Sequence, residues 1–158
     1  MATRMTDKRA FRNTYQQLGA IETYLHSSTI ESNLLHLVKM RVSQVNGCAY
    51  CLAMHAKVLR DAGEREDRIY VLPAWRETNW FTDRERAALA WAEALTTLPN
   101  REVPEDVFEV ARGEFTEPEL ADLTLAVIVI NGWNRLNIAF HGEPTPFPVA
   151  ETGQRAAD

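Results

Sequence analysis

The sequence lacks the features that mark membrane, secreted and nucleic-acid-binding proteins. None of its 158 residues lies in an uninterrupted apolar run near 18 residues long, so we expect no membrane-spanning segment. Residues 1–13 contain no apolar stretch that could serve as a secretory signal. The 17 basic residues neither outnumber the 22 acidic ones nor form a cluster, which argues against a nucleic-acid partner. We therefore expect a protein of the reducing cytoplasm.

Cysteine is scarce, and its two copies are close together. They are Cys48 and Cys51, and His55 follows four residues after the second. In a reducing compartment such a pair is more often redox-active or metal-binding than a permanent disulfide. On an α-helix, at about 100° per residue, these three side chains fall within a sector of roughly 60°. The sequence thus predicts a C-x-x-C-x-x-x-H motif on one helical face.

The start of this predicted helix favours thiol chemistry. Gly47 suits a left-handed turn after a preceding helix, which places both thiols in or just after the first turn of the next one. Unpaired N–H groups and the positive end of the helix dipole favour an anion there. A cysteine in such a position loses its proton more easily, and the thiolate is the nucleophile. His55, one turn beyond Cys51, could take or return a proton.

Helical periodicity and capping motifs predict an all-α protein of about six or seven helices. Capping boxes are expected at Ser28, Thr82 and Thr116, each followed by glutamate three residues later. Gly63 should end the cysteine helix, and Pro73 should end or kink the next one. The predicted helices cover about 8–26, 29–46, 48–62, 65–75, 83–98, 104–113 and 117–140.

The last helix is the most apolar part of the chain. Residues 125–130 are β-branched enough to be read as a buried strand, but a strong cap precedes them and no second strand is available for pairing. A helix that is apolar all round should lie at the centre of the fold. We predict a single domain spanning 1–158, with a core of about 8–140 and a proline-rich tail over 141–158.

The stretch from Leu34 to His55 resembles the core of the AhpD-like alkylhydroperoxidase family, within the carboxymuconolactone decarboxylase superfamily. It reads LLHLVKMRVSQVNGCAYCLAMH. Residues 74–77, 81–91 and 130–136 are also similar to members of that family, so the resemblance covers most of 10–140. It implies an AhpD-like helical bundle that assembles into trimers or hexamers.

The resemblance also implies a chemistry, reduction of a hydroperoxide by the cysteine pair with a proton relay. By position, Cys51 resembles the cysteine that attacks peroxide, Cys48 the resolving cysteine and His55 the relay histidine. A dithiol protein or small thiol would then reduce the resulting disulfide. No cofactor and no metal are expected.

The sequence departs from the family pattern at one proposed relay position. Well-studied members have a glutamate twelve residues before the first cysteine, where this chain has His36. A histidine can relay protons near neutral pH, but it cannot supply a fixed negative charge. Tyr50 stands where some members have a second histidine. We count His36 among the candidate catalytic residues.

Other interpretations of the motif stay open at this point. Cys48, Cys51 and His55 could form a zinc half-site that His36 completes, although structural zinc sites usually draw on two separated segments. The cysteine pair could also be core packing, or a redox or metal sensor without turnover. Lactone decarboxylation, found in the wider superfamily, ranks last because those enzymes generally lack the cysteine pair.

Several further residues are expected to have structural roles only. His26 and His141 have no partner that the sequence shows. Lys39 and Arg41 follow the amphipathic pattern of their helix and are expected on a solvated or intersubunit face. The four tryptophans are expected in the core or at subunit contacts.

Overall fold

The computed structural model describes residue 4 and residues 7–147, apart from the side chains of residues 8, 10 and 11. Within this part of the chain there are seven α-helices, two short 3-10 helices and no strand, which confirms the all-α prediction. The predicted tail beyond residue 147 and most of the first six residues lie outside the described residues. The α-helices are α1 Lys8–His26, α2 Ser32–Asn46, α3 Ala49–Asp61, α4 Glu66–Val71, α5 Asp83–Thr97, α6 Glu105–Glu114 and α7 Glu117–Phe140.

Two of the three predicted capping boxes are present. Thr82 caps α5 and Thr116 caps α7, and in each case the glutamate three residues later accepts a hydrogen bond from the cap's own N–H at 2.8 Å. The predicted box at Ser28 is wrong. Its hydroxyl donates instead to the carbonyl of Leu25 at 2.8 Å, where it satisfies the last turn of α1, and α2 begins only at Ser32.

The turn between α2 and α3 forms as the sequence predicts. Gly47 ends α2 with φ 71°, a left-handed conformation that glycine adopts without a Cβ clash. Cys48 follows as the N-cap of α3. At the other end of α3, Gly63 has φ 84°, and Pro73 lies in the 3-10 helix Leu72–Glu77 that follows α4. The chain therefore reverses direction immediately before the first thiol.

Helix α7 holds the bundle together by contacting α1, α2, α3, α5 and α6. Its length and an 18-residue window of mean hydropathy 1.3 would by themselves allow it to cross a membrane, although the sequence contains no uninterrupted apolar run of that length. Core helices of water-soluble proteins have the same length and composition. The helix is nevertheless not buried all round, since Ile128 is 60% exposed.

The apolar core has two parts, and α2 contributes to both. One part lies among α1, α2, α5, α6 and α7 and includes both cysteines. The other lies between α2, α3, α4 and α5, where Leu37, Leu59 and Leu72 have no exposed surface. Burying each of these leucines contributes about 2 kcal/mol. Helix α2 is thus fixed on two faces, which gives rigid support to the side chains it directs toward α3.

Candidate functional site

Both cysteines are free thiols in the first turn of α3, and each is only 1% exposed. The Sγ of Cys48 accepts a hydrogen bond from the backbone N–H of Cys51 at 3.4 Å, as an N-cap side chain does. His55, one turn after Cys51, is 2% exposed. The two thiols therefore lie against each other beneath the surface.

His36 of α2 and His55 of α3 form a direct pair. Their Nδ1 atoms are 3.0 Å apart, so one imidazole donates a hydrogen and the other accepts it. The Nε2 of His55 is buried and has no hydrogen-bond partner among the described residues. If His55 donates from Nδ1, its Nε2 is a free base; if His36 donates, that Nε2 carries a proton. When Nε2 of His55 takes up a proton and the Nδ1 hydrogen passes to His36, His55 changes from a base to an acid.

The Cys51 thiol and the histidine pair share one cavity of about 450 Å³, which we call the Cys51 cavity. Aromatic and apolar side chains form much of its wall, and Tyr15 meets Trp133 edge-on with ring centroids 5.1 Å apart. A hydroperoxide with an organic group would find apolar walls and a thiol in one space. The full lining is Tyr15, Glu22, His26, His36, Lys39, Tyr50, Cys51, Met54, His55, Val58, Ile130, Trp133 and Asn137.

A buried ion pair also lines this cavity. Lys39 is 2% exposed and its ammonium bonds the carboxylate of Glu22 on α1. The expectation that Lys39 lies on a solvated or intersubunit face is therefore wrong, because its side chain is buried within the fold and Glu22 of α1 supplies the countercharge. His26 is also part of the site, since it lines the cavity with its ring centroid 6.2 Å from that of His36.

Burial and neighbouring charge keep both relay histidines neutral. Desolvation is the main cause that lowers the pKa of His36 to about 4, and the Lys39 ammonium adds to it. Desolvation likewise lowers the pKa of His55 to about 3, with contributions from His36 and Lys39. Near pH 7 the pair therefore holds two neutral rings, so His55 can take up a proton at Nε2 while its Nδ1 hydrogen bond to His36 is kept.

The two thiols differ in acidity. A hydrogen bond from Cys51 is the main cause that lowers the pKa of Cys48 to about 7, despite burial, and Asn134 also contributes. The same interaction raises the pKa of Cys51, because its thiol is the donor to Cys48, and burial raises it further. The easily ionised thiol expected at this helix start is thus Cys48. When the pair loses one proton, the negative charge therefore lies on Cys48 and the remaining proton on Cys51.

Asparagine side chains hold the cysteine turn against α7. Asn46 Nδ2 donates to Asn131 Oδ1 and to Asn134 Oδ1, each at 2.9 Å. Asn134 is fully buried and donates to the Ser43 hydroxyl at 3.0 Å. Nearer the thiols, Asn137 donates to the carbonyl of Trp133 at 2.9 Å and lies 3.9 Å from the sulfur of Cys51. The polar residues that precede Cys48 in the sequence therefore fix where the thiols lie.

The zinc half-site that the sequence left open as an alternative has no matching ligand cluster in the described residues. No group of three or more histidine, cysteine, aspartate or glutamate side chains there is arranged to hold a metal ion. His36, which would have completed the site, is hydrogen-bonded to His55 through Nδ1, and Cys48 accepts the N–H of Cys51. The geometry is that of a proton relay beside a thiol pair.

Comparison with known proteins gives the same picture of the fold. The Carboxymuconolactone decarboxylase family model matches residues 9–94. The uncharacterized protein YdfG of Bacillus subtilis (strain 168) is 41% identical over 119 residues, which are 75% of this chain and 81% of YdfG. A crystal structure of a protein of unknown function from Agrobacterium tumefaciens, for which an AhpD-type antioxidant defence role has been suggested, superposes with a TM-score of 0.87 at 36% identity. That match covers 92% of this chain and all of the other.

A solved structure of low sequence identity has the same fold. The debrominase Bmp8 has a TM-score of 0.75 at 17% identity, over 84% of this chain and 72% of its own, so it shares the fold alone. Fold and site together define an all-helical protein with a buried dithiol beside a histidine pair. The chain belongs to the carboxymuconolactone decarboxylase family, and within that superfamily it is AhpD-like.

Proposed function

We propose that the protein is a thiol-dependent hydroperoxide reductase in which Cys51 attacks the peroxide. One observation carries the proposal: the Cys51 thiol opens into the same cavity as a buried, neutral histidine pair with a free ring nitrogen. Such a site can both ionise a thiol and protonate the alkoxide that leaves. The role suggested for the related Agrobacterium protein lends support.

The first half of the reaction oxidises Cys51. His55 takes the thiol proton at Nε2 as the Cys51 sulfur attacks the distal oxygen of ROOH. The O–O bond breaks, a sulfenic acid forms on Cys51, and the alkoxide takes the proton from His55 and leaves as ROH. His36 supports both proton transfers. Its Nδ1 shares a hydrogen bond with Nδ1 of His55, and the position of that hydrogen determines whether Nε2 of His55 accepts or donates a proton.

The second half returns the pair to its starting state. The Cys48 thiolate attacks the sulfenic sulfur of Cys51, hydroxide leaves and becomes water with one proton, and a disulfide remains. An external dithiol reduces this disulfide by exchange and is itself oxidised. The low pKa of Cys48 suits it to the resolving role, because its sulfur is ionised near neutral pH without further help.

The carboxylate of the family pattern has no counterpart at position 36. In the Cys51 cavity the carboxylate is that of Glu22, which is paired with Lys39 rather than free to act as a base. We therefore propose a relay of two histidines, with the Glu22–Lys39 pair as a fixed electrostatic support. Burial is the main cause of the lowered pKa of both rings, and Lys39 adds to it in keeping them neutral.

The test is turnover of cumene hydroperoxide with dithiothreitol, followed alongside titration of free thiols. The wild-type protein should lose two thiols per chain on oxidation and regain them with dithiol. Cys51→Ser should abolish oxidation, whereas Cys48→Ser should consume one equivalent of peroxide and stop at the sulfenic acid. Oxidation without turnover would instead support a redox sensor, and peroxide consumption by Cys51→Ser would overturn the assigned roles.

We also propose that the protein acts in the cytoplasm as a homo-oligomer, a trimer or hexamer as the family resemblance implies. On α7, Ile128 is exposed and Leu125 and Gly132, one turn away on either side, are half-buried, which leaves an apolar strip facing outward. Sedimentation at micromolar concentration should show an assembly that Ile128→Glu disrupts. A wild-type monomer would exclude it.

A further inference from the structure

We propose that Asn137 of α7 is a catalytic residue, whose side-chain amide donates a hydrogen bond to the Cys51 sulfur and stabilises the thiolate as it forms. This inference rests on the proposed function, in which Cys51 gives up its proton as it attacks the peroxide. The amide nitrogen Nδ2 of Asn137 lies 3.9 Å from Cys51 Sγ, and both residues line the Cys51 cavity. The amide is therefore placed beside the atom that reacts.

A thiolate at Cys51 needs a polar group to stabilise it. The sulfur is buried, so bulk water does not solvate its charge, and its interaction with Cys48 and its burial both raise its pKa. The histidine pair is neutral near pH 7 and adds no positive charge before it accepts the thiol proton. The Lys39 ammonium is already bonded to Glu22. A neutral N–H donor at the sulfur meets this need, and Asn137 supplies one.

A second hydrogen bond fixes which end of the amide faces the sulfur. Nδ2 of Asn137 donates to the carbonyl oxygen of Trp133 at 2.9 Å, and a carbonyl can accept only from the nitrogen end of an amide. That nitrogen carries two hydrogens, so the bond to Trp133 leaves the other one for Cys51. The donor is thus oriented before charge develops, which is the condition for electrostatic stabilisation of a transition state.

The length of the contact is consistent with a bond that strengthens during the reaction. A thiol is a weak acceptor, whereas hydrogen bonds to an ionised group are shorter and about twice as strong. The bond from Asn137 should therefore tighten as the proton of Cys51 passes to His55. It stabilises the thiolate more than the thiol, and only such a difference accelerates the chemical step.

Gly142 restricts the position of this amide. Its N–H donates to the backbone carbonyl of Asn137 at 2.8 Å, just after the end of α7. A Cβ added to Gly142 would lie 2.4 Å from Asn137 Oδ1, and the next two nearest atoms also belong to Asn137. The φ of Gly142 is outside the left-handed region, so alanine can adopt the same backbone conformation. Gly142→Ala should therefore displace the amide of Asn137 without straining the chain.

The test measures the ionisation of Cys51 directly, in full-length protein that carries Cys48→Ser and so keeps one thiol. The rate of alkylation by iodoacetamide as a function of pH gives the pKa of Cys51 without any peroxide. Asn137→Leu keeps the branched shape but removes the donor, and should raise this pKa by about one unit. In protein with both cysteines, Asn137→Leu should slow oxidation by cumene hydroperoxide about tenfold.

The variant Gly142→Ala probes the same amide without removing it. It should also raise the pKa of Cys51, and this effect should disappear when it is combined with Asn137→Ala, which leaves no amide to displace. The matched control is Gly113→Ala on α6, because a Cβ added to Gly113 meets nothing within 4 Å. That control should leave the pKa unchanged. Thermal unfolding establishes that each variant is folded at the temperature of the measurement.

The outcomes separate this inference from the proposed function. An unchanged pKa of Cys51 in Asn137→Leu would overturn the role of Asn137, even if peroxide were consumed more slowly. An equal effect of Gly142→Ala with and without the Asn137 amide would overturn it as well. If the wild type proved inert toward hydroperoxides while both variants raised the pKa, the proposed function would fail and the stabilisation of the Cys51 thiolate by Asn137 would be supported.

Discussion

The two sulfurs of one helical turn have very different surroundings. Cys51 faces the cavity that contains two neutral histidines and a buried ion pair, all contributed by α1, α2 and α3. Cys48 lines a separate cavity of about 490 Å³, which is shared with the end of α7 and the segment after it and includes His141 and Glu143. The contrast shows that the motif supplies the thiols, whereas the helices packed around it determine which thiol shares a cavity with the hydrogen-bonded histidine pair. A substitution in the surroundings of one thiol should therefore change the chemistry of that thiol more than that of the other.

The largest effect is expected from removing the relay on the Cys51 side. His55→Gln keeps a polar side chain of similar size but cannot exchange a proton, so oxidation by cumene hydroperoxide should slow about 100-fold. Reduction of the disulfide should slow less, because the dithiol's own proton can replace the lost acid. Stopped-flow measurement of thiol loss and recovery gives both rates.

The matched control for this variant is His141→Gln, which removes a histidine that lines the separate cavity beside Cys48 and not the Cys51 cavity. Oxidation by peroxide should continue at the wild-type rate in that variant. Equal loss of the oxidation rate in the two variants would show that the histidine pair has no special role.

The ion pair on the Cys51 side should be the next most sensitive feature. Glu22→Gln leaves the Lys39 ammonium buried without its countercharge, so the free energy of unfolding should fall by about 3 kcal/mol. The double variant Glu22→Gln with Lys39→Met removes both charges and should recover most of the loss. Urea unfolding of the wild type, the single variant and the double variant measures this. A double variant no more stable than Glu22→Gln would contradict the pairing.

The sequence predicted the helices and the thiol motif because both are local. Capping at Thr82 and Thr116, the left-handed Gly47 and the periodicity of α3 depend on neighbours within a few residues, so each could be inferred without a fold. The predicted capping box at Ser28 is wrong because the hydroxyl could bond either to the start of α2 or to the end of α1. It donates to the carbonyl of Leu25 at the end of α1.

The surroundings of the motif could not be predicted because they depend on packing between helices. Lys39 lies one turn after His36 on α2, which indicated that the two share a face, but its burial and its pairing with Glu22 of α1 follow from how the helices pack. Glu22 and His26 are on α1 and carry no local sign of belonging to the site. Asn134 and Asn137 belong to α7, the most apolar helix. Their polar side chains within it were the only sequence feature that could have indicated a role near the thiols.

The histidines on the Cys51 side should also make stability depend on pH. In the unfolded chain His55 has a pKa near 6.5, and in the folded protein its pKa is about 3. Between these values the unfolded chain binds a proton that the folded protein does not, so stability falls as pH decreases. At pH 5 this difference amounts to about 2 kcal/mol.

The measurement compares the free energy of unfolding at pH 7.5 and pH 5.0. Between these two pH values the free energy of unfolding of His55→Gln should fall by about 2 kcal/mol less than that of the wild type, because glutamine does not titrate. His141→Gln should show the full wild-type loss. An identical loss in the wild type and His55→Gln would mean that His55 already binds a proton in the folded state.

The smallest effect concerns the Cys48 side, where the thiol depends on Cys51 for its acidity. The wild type should show one thiolate titrating near pH 7 by absorbance at 240 nm. Cys51→Ala removes the side-chain donor but keeps the backbone N–H, so the pKa of Cys48 should rise by about one unit. Cys51→Ser keeps a donor and should raise it less. If both variants titrated like the wild type, the two thiols would not be sharing a proton, and the N–H of residue 51 would be the main source of the acidity of Cys48.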